Sequence, residues 1–229
     1  ALPILNYVRS HDDIGWTFSD DDAYNIGVFP EGHRFFLNHF YAKDFSGSFS
    51  KGMPFQYNPT NGDLRVCGTT ASLAGLEQAL EWKDEGRLKD AINRIILLYS
   101  VALTIGGIPL IYLGDELGLL NDYSFQRDPA KIDDTRWVHR FSMNWEKAES
   151  AQKGQGIEGS IFRELKRRIF LRKEIPAFGN GNLELIETHN PHVLGYLKQE
   201  GDQKFAVIHN FSEKEQEFRS WLSIGVDKL

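Results

Sequence analysis

An α/β fold followed by a small antiparallel β unit is predicted by three features of the sequence. Two short apolar runs, residues 4–8 and 108–113, each stop at a knot of charge. The connection between them carries a strong helical period at residues 88–103, and strand, helix-bearing connection, strand is the order of a right-handed parallel unit. Beyond residue 180 the apolar spacing changes to two, the period of strands with one covered face.

The first run, Ile4-Leu5-Asn6-Tyr7-Val8, is short, partly β-branched and without a helix cap, so it reads as a buried strand. It ends in Arg9-Ser10-His11-Asp12-Asp13, and in parallel α/β barrels that end of a strand is where ligands bind. The competing reading, that these acids only cap a following helix, is outweighed by three ionisable groups in a row beside a strand. Residues 15–72 settle into no single period. A stretch this long between barrel elements is a lid, an inserted subdomain or disorder, and its aromatic content favours an inserted subdomain over the site.

Within that stretch, residues 33–42 read as a helix with Phe36, Leu37 and Phe40 on one side, and Asn58-Pro59 and Asn61-Gly62 read as turns. Residues 69–80 read as one helix on the spacing of Leu73, Leu76 and Leu80, followed by a charged surface break at 81–86. The clearest helix spans 88–103, where Ile92, Ile95, Ile96, Tyr99 and Leu103 recur at three and four before Gly106-Gly107. The second buried strand, 108–113, ends in Gly114-Asp115-Glu116. Residues 121–157 are polar and turn-rich, and 161–176 return to a helical pattern stopped by Pro176. Three alternating runs, 183–186, 193–197 and 205–208, then read as antiparallel strands.

Composition narrows the function classes. Hydrophobic content of 41% and charged content of 25% are those of a globular protein. A net charge of −6 without a basic block argues against a nucleic-acid or anionic-membrane surface, and no apolar run has membrane length. The single cysteine, Cys67, cannot form an internal disulfide and reads as a small core residue. The 16 Phe, 8 Tyr and 5 Trp could stack on sugars or bases, but filling a core is their default use. The chain opens inside what reads as a core strand, without an initiator Met, and so reads as a portion of a longer protein.

Several of these runs together resemble the α-amylase family of glycoside hydrolases (family 13). Val8-Arg9-Ser10-His11-Asp12 resembles the motif at the end of that family's barrel strand seven, and residues 107–118 resemble strand eight with its Gly-Asp-Glu turn. The helix with Leu171-Arg172 and the trailing β unit resemble barrel helix eight and the β-sandwich domain that follows it. Within the family the likeness is to the amylosucrases, carried by residues 9–18, by Pro54-Phe55-Gln56-Tyr57-Asn58-Pro59 and by residues 133–140. The resemblance implies the C-terminal part of a (β/α)8 TIM barrel, residues 1–178, with an inserted subdomain at about 15–72, followed by a β-sandwich domain at 179–229.

It also implies a chemistry. Retaining glycosidases use one carboxylate as nucleophile and another as acid/base, through an oxocarbenium-like transition state. The family adds a third carboxylate that holds sugar hydroxyls and distorts the ring. By position that third acid is Asp12, a transition-state stabiliser, with His11 donating a hydrogen bond to the same sugar. Asp13 would bind glucose or acceptor hydroxyls, Arg136 would close the pocket with its guanidinium fork, and Arg65 would help form acceptor subsites. Asp115 and Glu116 sit at a strand end but have structural counterparts in the family and are left out of the catalytic set.

The family's nucleophile motif at strand four and its acid/base Glu at strand five do not occur in this sequence. The expectation is therefore a chain inactive by itself, with unpaired barrel edges covered by a missing N-terminal barrel half or by another copy. The expected activity is transfer of glucose from sucrose to an α-1,4-glucan, without cofactor or metal. The alternatives are a sucrose hydrolase, an α-glucosidase or an α-amylase of the same family, or a non-catalytic carbohydrate-binding protein. Cytoplasmic and secreted locations both fit.

Overall fold

The computed structural model describes residues 4–42, 45–60 and 64–219. The Asn61-Gly62 turn and the last ten residues of the expected C-terminal domain lie outside the described residues. The chain divides into two compact units.

One unit comprises Ala1–Asn6, Leu97–Leu110 and Lys166–Leu229. In it, strand β1 (Leu5–Tyr7) pairs with the later strand Ile108–Leu110, and Ile108 N–H donates to Ile4 C=O at 2.8 Å. Both strands were expected to be buried. Instead Ile4 is 69% exposed, Tyr7 54% and Ile108 49%. Among the described residues each strand has only the other as a hydrogen-bonded neighbour, so no further strand flanks the pair.

The other unit comprises Tyr7–Ile96 and Ile111–Leu165. Ser19 caps α1 (Asp20–Asn25) through the Asp22 N–H, and α2 (Pro30–Tyr41) begins earlier than the apolar period suggests because Pro30 suits the first turn. Arg34 on α2 donates to the Trp16 and Phe18 carbonyls at 3.1 and 2.8 Å, and Trp16 Nε1 donates to Asn38 Oδ1 at 2.8 Å, which fastens residues 16–18 to this helix. Strands β2 (Met53–Phe55) and β3 (Arg65–Cys67) form an antiparallel pair, and Ile14 exchanges two backbone hydrogen bonds with Val66 on the free edge of β3. The single helix predicted at 69–80 is two helices, α3 (Thr70–Leu73) and α4 (Leu76–Trp82). Gly75 separates them at φ 97°, a left-handed conformation that a glycine enters without steric cost.

Helix α5 (Glu85–Thr104) extends the predicted 88–103 segment by a few residues at its start, and Gly106 and Gly107 follow it with positive φ before β4 (Ile108–Leu110). Short 3-10 turns and α6 (Trp145–Gln152) fill the polar stretch up to α7 (Gly156–Glu174). Buried Cys67, Phe125 and Val138 pack with Met53, Phe55 and Trp137, while Leu117, Leu119 and Ala151 pack with Phe141, Met143 and Phe162. After the single turn α8 (Ala177–Asn180), strands β5 (Asn182–Ile186), β6 (Val193–Glu200) and β7 (Gln203–Asn210) form an antiparallel sheet in sequence order, at the positions where the two-residue period begins. Among the described residues this is one three-stranded sheet, without a second layer of strands.

Candidate active site

The polar cluster that follows β1 is held by contacts far away in sequence. His11 and Asp12 lie in a segment without regular structure, and their side chains are 65% and 51% exposed. The carbonyl of His11 accepts from Arg140 Nε at 2.7 Å and lies 3.1 Å from His139 Nε2. Nδ1 of His139 accepts the Gly68 backbone N–H at 3.0 Å, so its proton sits on Nε2 and is donated to His11. His139 is buried, and burial pushes its pKa down to about 4, which keeps the ring neutral in this role.

The Asp12 carboxylate is gripped on one oxygen. Oδ1 lies 3.0 Å from Arg140 Nη2 and 3.4 Å from Arg136 Nη1, while Oδ2 lies 3.4 Å from His11 Nε2. Asp134 holds Arg136 in a bidentate fork, Nε to Oδ1 and Nη2 to Oδ2, both at 2.9 Å. The Arg136 hydrogen bond holds the Asp134 carboxyl below its ordinary range, and the same contact raises the pKa of Arg136. The guanidinium also lies over the Phe55 ring, 4.6 Å from its centroid.

Asp13 has an ion-pair partner of its own. Its Oδ2 meets Arg65 Nη1 at 3.1 Å, with the aspartate side chain 9% and the arginine 47% exposed. The Ile14–Val66 bridge creates this contact, because it aligns the segment after Asp13 with the strand that starts at Arg65. His11, Asp12 and Arg136 are thus in direct contact, and Asp13 with Arg65 forms a second pair one residue along. Two acids with exposed cationic and imidazole donors form a surface suited to neighbouring hydroxyl groups, since carboxylates accept and guanidinium and imidazole N–H groups donate.

Asp134, His139 and Arg140 were not among the residues picked from sequence, although the Asp-x-Arg-x-x-x-Arg spacing of Asp134, Arg136 and Arg140 is visible there. Asp115 is buried against Arg9, and Glu116 Oε2 accepts the Gly114 N–H at 2.8 Å, closing the turn after β4. The Cys67 thiol is buried, which pushes its pKa up to about 12 and leaves it a protonated core group. Among the described residues no cluster of three or more His, Cys, Asp or Glu is arranged to hold a metal ion, and no helix is long and apolar enough to cross a membrane.

This geometry can be set beside known proteins. No family model matches the chain. Over 139 residues, 56% of its length, it is 30% identical to alpha-amylase 3 of Dictyoglomus thermophilum, covering 28% of that protein. Its fold matches the crystal structure of sucrose 6F-phosphate phosphorylase from Thermoanaerobacter thermosaccharolyticum with a TM-score of 0.61 and 15% identity, over 90% of this chain and 36% of that one. The relatives and the fold neighbour that it matches are α-amylase family enzymes. Another curated relative, 4-alpha-glucanotransferase of Thermotoga neapolitana, is 26% identical over 146 residues, 58% of this chain and 33% of that protein. The matches span about a third of the length of these α-amylase family relatives. The likeness to the phosphorylase is one of fold, and its TIM-barrel class agrees with the α/β expectation.

Proposed function

We propose that this chain is the C-terminal portion of a retaining α-glucoside-active enzyme that transfers glucose from sucrose to an α-1,4-glucan, as amylosucrases do. The observation that carries the reading is the polar patch after β1, where Asp12 contacts His11 and Arg136 while Asp13 pairs with Arg65. In this reading Asp12 accepts hydrogen bonds from glucose hydroxyls and stabilises the distorted, oxocarbenium-like sugar, with His11 donating beside it. Asp13, Arg136 and Arg65 shape the subsites around it. The nucleophile and the acid/base are supplied by barrel strands that precede this sequence, so the chain alone has no activity. The exposed apolar side chains of β1 and β4 support this assignment, since further barrel strands would cover them.

Hydrolysis is the second reading, favoured by the relative named an alpha-amylase, whereas the relative named a glucanotransferase favours transfer. Acceptor choice turns on a few contacts and on water access. The test is sucrose turnover by the full-length protein and by its Asp12→Ala variant, with glucose, fructose and glucan followed separately. Fructose in clear excess over glucose, with polymer formed and all of it lost in the variant, is the expected result. Equal glucose and fructose would make the enzyme a hydrolase, and no sucrose consumption would remove sucrose as the substrate.

A further inference from the structure

The His11 carbonyl receives two donors from one short segment, Arg140 Nε at 2.7 Å and His139 Nε2 at 3.1 Å. The same Arg140 reaches Asp12 Oδ1 through Nη2 at 3.0 Å, and its Nη1 lies 3.7 Å from Asp134 Oδ2. One guanidinium therefore touches the backbone before Asp12, the Asp12 carboxylate itself, and the acid that holds Arg136. A planar fork with five donors can do this, and an ammonium cannot. His139 is seated by the Gly68 N–H immediately after β3, which references the clamp to the hairpin that carries Arg65.

The residues being held need such support. His11 and Asp12 are exposed and lie outside any helix or strand, so neither the backbone ladder nor core packing sets their rotamers. We infer that Arg140, seconded by His139, is a positioning residue that fixes the Asp12 carboxylate and the His11 backbone for the sugar. This rests on the proposed role of Asp12. Arg140 presents its charge to Oδ1 and leaves Oδ2 on the His11 side, so the clamp selects which carboxylate oxygen faces a ligand.

The test combines two readouts on the full-length protein. Hydrogen exchange is measured on the peptide spanning residues 9–14 in wild type, Arg140→Ala, His139→Ala and His139→Gln, the last of which keeps a donor for the His11 carbonyl. Sucrose kinetics are measured on the same proteins, with and without guanidinium chloride at millimolar concentration. We expect Arg140→Ala to speed exchange in this peptide alone, and to lower kcat about 10²-fold, the scale of a misplacement of about 1 Å, with KM little changed. Guanidinium restores part of that loss, and His139→Gln is milder than His139→Ala. Unchanged exchange at 9–14, or exchange raised throughout the molecule without guanidinium rescue, overturns the clamp. If wild type does not consume sucrose, the proposed function fails, and the exchange comparison alone decides whether Arg140 orders this segment.

Discussion

Arg9 and Asp115 form an ion pair from which water is excluded: Arg9 Nη2 lies 2.8 Å from Asp115 Oδ1, with side-chain exposures of 1% and 0%. The aligned hydrogen bond runs from Nε to the same oxygen at 2.9 Å; the Nη2 contact is Coulombic and leaves that nitrogen without a well-directed acceptor. Thr70 Oγ1 donates to the other carboxylate oxygen at 2.8 Å, and the guanidinium lies 4.5 Å from the centroid of the Tyr112 ring. The pair joins the residue just after β1 to the residue at the turn after β4. It therefore fixes the start of the segment that carries His11 and Asp12.

Removing one partner leaves the other charge buried and uncompensated, which costs about 3–5 kcal/mol. Asp115→Ala should lower the unfolding free energy by that amount, read as a lower urea midpoint at unchanged m. The double variant Arg9→Met, Asp115→Leu should be closer to wild type, because the desolvated charges leave together. A double variant no better than Asp115→Ala would mean that the arginine's packing, rather than its charge, is what the site requires.

Stability should fall on the acid side for a reason located at two histidines. Burial pushes the pKa of His139 and of His209 down to about 4 from an ordinary 6.5. Above about pH 6.5 neither ring is protonated in either state, and they contribute no pH dependence. Between about 6.5 and 4 the unfolded chain takes up protons that the folded chain refuses, so stability drops as pH falls through this window. Below about 4 both states are protonated and this contribution levels off. Urea midpoints for wild type and His139→Gln from pH 7.5 to 4.5 (roughly spanning the window) check the sign: the variant should lose part of the slope.

Tyr196 is the centre of a proton chain whose direction follows from counting donors. Thr104 Oγ1 gives its hydrogen to Ser100 C=O at 2.6 Å, so the 2.6 Å contact with Tyr196 must be a donation from the tyrosine. The tyrosine hydrogen being used, the 2.9 Å contact with His209 Nε2 is a donation from the imidazole. Tyr196→Phe leaves the buried His209 N–H without its acceptor and should cost about 1–3 kcal/mol. Nitrogen chemical shifts of His209 should report the Nε2–H tautomer in the wild type; an Nδ1–H ring would reverse the assigned direction.

How much of this was legible in the sequence depends on range. The strand ending in His11-Asp12-Asp13 was visible because an apolar run and a charge cluster are neighbours in the chain, and the 88–103 helix because its period is local. The strands' exposure was not, since burial depends on which layers surround them, and no period reports that. Gly75 divides what Leu73, Leu76 and Leu80 suggest is one helix, because apolar spacing is blind to a single left-handed residue. Arg140 and His139 meet His11 across 129 and 128 positions. Nothing in local patterning specifies such a contact. Among the five residues assigned from the resemblance, Asp12 touches His11 and Arg136, and Asp13 touches Arg65; the groups that orient them went unrecognised.

Gly52 is required by close approach. A Cβ there would lie 2.5 Å from the Tyr41 carbonyl oxygen, 2.5 Å from Val66 Cγ1 and 2.9 Å from Leu73 Cδ2. The backbone oxygen cannot yield easily, because it accepts the Gly52 N–H at 2.7 Å. Gly52→Ala should destabilise by about 1–3 kcal/mol through overpacking, read as a lower thermal midpoint with the far-ultraviolet spectrum unchanged. A neutral outcome would mean that α2 and β3 can move apart at this point.

Arg65 separates a stability role from a binding role. Its pair with Asp13 is half open to solvent, so its contribution to folding is about 0–1 kcal/mol, and Arg65→Ala should melt close to wild type. If Arg65 belongs to an acceptor subsite, the variant should release fructose from sucrose at nearly the wild-type rate at low glucan, yet need more glucan to reach half its maximal transfer rate. Asp13→Asn should differ, because Asp13 is the buried member of the pair and adjoins Asp12; it should lower the rate at every glucan concentration. Fructose release and glucan dependence measured side by side on both variants distinguish the roles. Identical profiles would mean that the Asp13–Arg65 pair acts as one unit and that Arg65 has no acceptor contact of its own.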